Sequence, residues 1–355
     1  MELTSLPKVS LHEHLDGCVR VETVIDLSQQ LGLPLPADTV EALESWIAER
    51  ADSKSLERYL EIFPLTTAVM QTEAGIHRVA REYVLDQAAD GVIHAEVRWA
   101  PEKSTEQGLS MEAAIEAASA GIAEATRELA AEGIQIEVTQ IVSAMRQEHR
   151  VDEVATLALR YRDSGVVAFD IAGPEAGFAP SLFTDTFDRL RREWMPVTIH
   201  AGEGDGLASI QSALQDGHAL RLGHGVRIAE DLTADGDGWR LGRTAEWVRD
   251  RSITLETSPT SNLHTGVFAA WGAEMADHPF ARLYDLGFAV TVNCDNKLMS
   301  GTTLTRELAT LQQAFGYGLA DLEQFQLNAA AALFASPEVR AAVAERIRAG
   351  FATPL

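Results

Sequence analysis

Two histidines, His12 and His14, stand two residues apart in LHEHLDG, close to the start of the chain. In an extended strand, positions i and i+2 point to one face, so the two imidazoles lie side by side and could share a metal ion. Taken alone, the pair fits equally well a polar strand end running into a turn at Asp16-Gly17. Three more polar residues close short β-rich runs: His200 in TIHAGE, His224 in RLGHG and Asp295 in VNCDN. Neutral imidazoles with a carboxylate suit zinc, and a catalytic site leaves a position for water. His12, His14, His200 and Asp295 are the candidate ligands of one zinc ion per chain. Such an ion lowers the pKa of the water it holds towards about 7. Glu203, three residues after His200, and His224 would supply the carboxylic acid and the imidazole that general acid–base hydrolysis requires. Plainer roles stay open for both: Glu203 beside a helix N-terminus, and His224 as a packed strand-end residue.

These residues need elements that bring them to one place. Eight short runs read as strands: 9–14, 92–100, 134–142, 166–173, 197–203, 220–225, 253–258 and 289–295. Helical patterns separate them, such as the Ala/Glu-rich 111–133 with Gly133 as its stop, and 151–165 ending at Gly165. Strands alternating with helices predict a parallel sheet, and eight of them predict closure into an α/β (β/α)₈ TIM-type barrel. An open doubly wound sheet would carry a glycine-rich phosphate loop after its first strand, and HLDGCVR is not one. Extra helices are expected between strands one and two and at the C-terminus, the whole of 1–355 forming a single barrel domain. In SLERYLEIF, Leu56, Tyr59 and Phe63 fall on one helix face, either as ordinary core or as an apolar lid at the barrel mouth. Catalytic groups gather at the C-terminal ends of barrel strands, where the named residues fall. Of the other histidines, His77, His149, His218, His264 and His278 lie in helices or loops and read as surface residues. His94, inside strand two, reads as a satisfied core residue.

Composition narrows the partners. Lys+Arg 29 against Asp+Glu 53 gives a formal charge of −24, which repels nucleic acid and anionic membranes alike. Hydrophobic residues at 46% suffice for a large core, yet no run approaches the roughly 18 apolar residues of a membrane span. MELTSLPKVS has neither a basic nor an apolar signal region, and two cysteines suggest no disulfide framework. A cytoplasmic protein acting on a small molecule is expected.

In their order along the chain, LPKVSLHEHLDG, FDIAGPE, TIHAGE, RLGHG, TSPTSN and VNCDN resemble the adenosine deaminase family of the metal-dependent amidohydrolase superfamily. The likeness runs from about residue 6 to 335. It implies a zinc-dependent barrel enzyme that converts adenosine, and 2′-deoxyadenosine, to inosine and ammonia. Carried over by motif, His12, His14, His200 and Asp295 match the zinc ligands and Glu203 the acid that protonates purine N1. His224 matches the base or electrostatic partner of the attacking hydroxide. His14 and Asp16 match positions near the ribose 5′-hydroxyl, and Gly173 the backbone amide that meets purine N3. Two positions depart from the family pattern: Asn296 stands where a second aspartate is usual, and Cys18 where serine is usual. Asn296 is expected to donate to purine N7, with capping of the following helix as its plainer role. The same chemistry on adenine or aminodeoxyfutalosine is the alternative. A zinc-binding fold without turnover would not need Glu203 and His224, and both are present.

Overall fold

The first strand shows how the barrel is built. In β1 (Lys8–His14) every residue is buried, as in parallel strands covered on both sides. Val9 and Leu11 join a cluster with Ala329, Ala330, Val343 and Ile347 from the two C-terminal helices, Leu319–Ala332 and Pro337–Ala352. Ser10, His12 and His14 are the alternate residues, so they point into the barrel. The computed structural model describes residues 3–236 and 238–352.

Parallel pairing links β1 to β2 (Val92–Trp99), β3 (Glu137–Met145) and β4 (Val166–Ala172) in one half-sheet. The other half-sheet runs through β5 (Thr198–Ala201), β6 (Arg221–His224), β9 (Thr254–Thr257) and β10 (Val290–Val292). Isolated parallel bridges, Phe169 to Val197 and Glu13 to Asp295, join the halves into a ring of eight. At the second seam His14 N–H donates to Asp295 O and Asp295 N–H to His12 O, at 2.8 and 2.9 Å. That seam holds three of the four expected ligands in one backbone ladder.

The predicted helices are present: Met111–Ala131 and Val151–Tyr161 follow strands two and three, and four α-helices and several short turns fill the stretch from Val21 to Thr67 before Glu73–Ala89 leads into β2. Three local expectations need correction. The third strand begins at Glu137 and ends at Met145, later than 134–142, because its pairing partners in β2 and β4 set its limits. An antiparallel hairpin, β7 (Leu232–Asp235) with β8 (Gly238–Leu241), escaped the reading; it is largely exposed and lacks a buried alternation to signal it. The lid segment is two short helices, Leu56–Leu60 and Phe63–Thr67, with Pro64 opening the second. The Leu56 side chain lies outside the described residues. No helix among the described residues is long and apolar enough to cross a membrane.

Candidate active site

A cavity of about 270 Å³ opens at the C-terminal end of the barrel, lined among others by His14, Asp16, Gly173, His200, Glu203, His224, Asp295 and Asn296. Of the expected residues, only His12 is absent from that lining; it is fully buried directly beneath, its ring centroid 4.7 Å from those of His200 and His224. Tyr59, Phe63 and Pro64 form part of the wall, which favours the lid over the plain-core role. His224 and Asp295 hold positive φ angles of 60° and 61°, uncommon for non-glycine residues and concentrated at functional sites. Gly223 gives them room, since a Cβ there would stand 3.0 Å from His200 Cα and 3.1 Å from His12 Cε1.

Nε2 of His14 lies 3.1 Å from Nε2 of His200 and 3.4 Å from Asp295 Oδ1. His12 Nε2 is buried with no hydrogen-bond partner among the described residues, 3.5 Å from Asp295 Oδ1. His12 Nδ1 faces Glu256 Oε2 at 3.1 Å and His200 Nδ1 faces Asp170 Oδ2 at 3.0 Å. A carboxylate behind Nδ1 keeps the proton there and turns a bare Nε2 lone pair toward the cavity. Burial and neighbouring cations hold His14 and His200 below their ordinary pKa even with Asp295 and Asp170 beside them. Burial alone would raise Asp295, but the neighbouring His12, His224 and His14 side chains outweigh it and hold the carboxyl below its ordinary range. Bare nitrogen lone pairs converging on an anion repel unless a cation sits among them. This donor set of imidazoles and one carboxylate fits a zinc-type ion.

Other residues hold these groups in place. Arg98 reaches Glu256 Oε2 at 2.6 Å and Asp170 Oδ2 at 3.3 Å, so one guanidinium bridges the carboxylates behind two imidazoles. Ser261 Oγ donates to Asp295 Oδ2 at 2.6 Å. Glu175 accepts from the backbone N–H groups of Gly202 and Glu203 at 2.6 and 3.0 Å, while Arg146 donates to the His200 carbonyl. Sequence reasoning missed all of these. Their signal was charge inside apolar strands, as in FDIA and TLET.

Glu203 Oε2 stands 3.4 Å from His224 Nε2. Burial, then Asp295 and Glu175, push the Glu203 carboxyl well above its ordinary range, which favours its acid form. Burial likewise pushes Asp16 up to about 7, and its Oδ1 has no partner among the described residues. Gly173 takes φ +90°, the left-handed region open to glycine, at the cavity wall. Asn296 is the N-cap of the helix Lys297–Ser300, yet its side chain makes no capping bond, contrary to the plainer role. Glu13 points away from the cluster, accepting from Gln87 and pairing with Lys297 at 3.5 Å. Lys103 is the cation in the wall, and it pairs with Glu148 at 3.0 Å.

Two histidines differ from expectation. His278 is 3% exposed rather than superficial, being packed under the site. His94 is buried but unsatisfied: neither ring nitrogen is hydrogen-bonded among the described residues, and Glu137 stays 3.6 Å away.

The family model for adenosine deaminase matches residues 7–350. The chain belongs to the adenosine deaminase family. It is 46% identical over 355 residues to the adenosine deaminase of Mycobacteroides abscessus, covering 99% of this chain and 97% of that one. Identity to the enzyme of Mycolicibacterium vanbaalenii is 48% over 343 residues, covering 96% and 94%. Among solved structures, Arabidopsis ADAL complexed with IMP superimposes with a TM-score of 0.81 at 26% identity, covering 98% of both chains. A Burkholderia amidohydrolase with bound Zn superimposes with a TM-score of 0.82 at 24% identity, covering 98% of this chain and 91% of that one, which shows the shared barrel.

Proposed function

We propose that this chain hydrolyses the 6-amino group of adenosine and 2′-deoxyadenosine, giving inosine and ammonia, as a single barrel unit over 1–355 that works in the cytoplasm. The observation that carries the reading is the placement of a buried Glu203, 3.4 Å from His224 Nε2, in the same cavity as a cluster of imidazoles and one carboxylate. His12, His14, His200 and Asp295 would hold one zinc ion. When bound, zinc makes a water nucleophilic at neutral pH. Attack of a water oxygen on C6 would push an electron pair onto N1, and Glu203 would deliver its proton there. The tetrahedral carbon would then expel its amino group as ammonia, which takes up the proton of the hydroxyl added at C6 as the carbonyl forms. His224 attends the attacking oxygen from the neighbouring strand.

Recognition follows from the walls. Asp16 and His14 take the ribose 5′-hydroxyl, Gly173 meets purine N3 through its amide and Asn296 meets N7. A nucleoside is favoured over its monophosphate, because Lys103 is already neutralised by Glu148 and Asp16 would repel phosphate. Adenine would leave Asp16 without a hydroxyl. The free, buried Cys18 and Cys294 support a reducing compartment.

The test is an absorbance assay of the zinc-loaded protein against adenosine, 2′-deoxyadenosine, adenine, AMP and aminodeoxyfutalosine in parallel. Adenosine and its 2′-deoxy form should have the highest kcat/KM. A tenfold preference for any of the other three would replace this substrate assignment.

A further inference from the structure

We infer that Asn262 holds His224 in the tautomer with its proton on Nε2, so that His224 faces the cavity as a hydrogen-bond donor and stands outside the metal's ligand set. The inference rests on the reading of this cavity as the reacting site and specifies what one of its groups can do there.

The argument starts at a backbone amide, which can only donate. Phe280 N–H donates to His278 Nδ1 at 3.0 Å, so that nitrogen is bare and the proton of the neutral ring sits on Nε2. Burial pushes His278 down to about 3, keeping it neutral. Its Nε2 faces Asn262 Oδ1 at 3.3 Å, and the Ser258 backbone N–H meets the same oxygen at 3.3 Å. Two donors on one oxygen settle which way the Asn262 amide points. The Nδ2 end is then turned to His224 Nδ1, 2.9 Å away. An NH₂ group has nothing to accept with, so His224 Nδ1 must be bare and its single proton lies on Nε2. Asn262 is fully buried and His224 and His278 nearly so, which shields these contacts from competition by bulk solvent.

Proximity alone would read the site differently. One ligand atom each from His12, His200, His224 and Asp295 lies within 4.8 Å of the others, a group able to enclose an ion. Hydrogen-bond direction separates them. His12 and His200 have carboxylates behind Nδ1 and present bare Nε2 atoms, whereas His224 has an amide donor behind Nδ1 and presents Nε2–H. A ring nitrogen that carries hydrogen can neither bind a cation nor take a proton from water. His224 therefore acts as a fixed donor to the oxygen that attacks C6, and Asn262 is the positioning residue that makes it one. His14, with Nε2 3.1 Å from that of His200, completes the ligand set.

The experiment reads ring nitrogens directly. Protein labelled with ¹⁵N-histidine is examined by NMR metal-free and zinc-loaded, with His224 identified by its loss in His224→Gln. The expected spectrum has bare Nδ1 and protonated Nε2 for His224, unmoved by zinc, while Nε2 of His12 and His200 shifts on loading. In Asn262→Asp a carboxylate accepts from Nδ1, so His224 should switch tautomer and kcat should fall about 10²–10⁴-fold with KM little changed, the scale seen when a catalytic histidine is held in the wrong tautomer. A wild-type His224 with its proton on Nδ1, or an Nε2 signal that moves on zinc loading as His200's does, would overturn the inference whether or not Asn262→Asp folds. Failure to turn over adenosine would unseat the substrate reading and leave the tautomer measurement to decide this one.

Discussion

His12 Nδ1 stands 3.1 Å from Glu256 Oε2, and the same oxygen receives Arg98 Nη2 at 2.6 Å. Glu256 Oε1 is engaged at 2.6 Å by Arg221 Nε, which places one buried carboxylate between two buried guanidiniums and an imidazole. Burial would raise Glu256, but Arg98 and Arg221 outweigh it and keep it well below the ordinary range. The charge balance of the barrel interior is thus coupled to the orientation of an expected metal ligand.

Glu256→Gln keeps an acceptor for His12 but removes the charge between Arg98 and Arg221. Breaking a buried ion pair costs about 3–5 kcal/mol, and losing the group that orients a ligand costs about 10–100-fold in metal affinity. Urea unfolding and competitive zinc titration would measure the two. Unchanged zinc affinity would separate the ion-pair network from the metal site.

Alanine at His12, His14, His200 or Asp295 should lower zinc content below one per chain and abolish most turnover, because a metal site missing one ligand is weaker and wrongly shaped. His224→Ala should lose turnover and keep its zinc. Metal analysis of all five variants distinguishes ligands from the residue beside them; normal zinc and turnover in any one of the first four removes that residue from the set.

Glu203→Gln should retain fold and zinc and lose about 10²–10⁴-fold in kcat, since an amide has no proton to deliver to N1. Burial, Asp295 and Glu175 raise this carboxyl, and its acid form is the working one, so wild-type activity should decline on the alkaline side as Glu203 ionises. That limb should be missing from the residual activity of the variant. A loss under tenfold would assign the protonation of N1 to another group.

Asn296 lines the cavity, and its Oδ1 has no hydrogen-bond partner among the described residues. Its amide donates without the protonation that an aspartate would need, so replacing purine N7 by CH should cost about 1–3 kcal/mol. Kinetics with adenosine and 7-deazaadenosine give the difference, which Asn296→Ala should largely erase. Equal discrimination by mutant and wild type would rule out the N7 contact.

Glu307 is fully buried and accepts from Thr260 N–H at 3.1 Å, supporting the segment that carries Ser261 and Asn262. Burial raises its carboxyl from 4.5 to about 7. The folded state therefore holds a proton that the unfolded state releases earlier. From this group, stability is greatest below about pH 4.5, declines as the pH rises to about 7 and is level beyond. Denaturant melts at pH 5 and pH 8 should show a smaller drop for Glu307→Gln than for wild type. An identical drop would exclude this carboxyl as a source of the pH dependence.

Legible in the chain alone were the eight-strand barrel, the helical insertion after β1 and the residues that meet at its mouth. The reason is local: strand alternation puts His12 and His14 on one face, and strand ends carry His200, His224 and the neighbourhood of Asp295. Periodicity states which way a side chain points and leaves open what stands opposite. Hydrogen-bond partners of the histidines come from far along the chain: Glu256 lies 244 residues from His12, Asp170 lies 30 from His200, and Asn262 lies 38 from His224. Sequence spacing does not encode those meetings, so it could not separate a base from an electrostatic partner at His224 or reveal that His278 is buried. Tertiary structure shows His278 buried and supplies the contact from which the inference about His224 is drawn, because the tautomer of a buried imidazole is set by whichever donor or acceptor the fold brings against its second nitrogen.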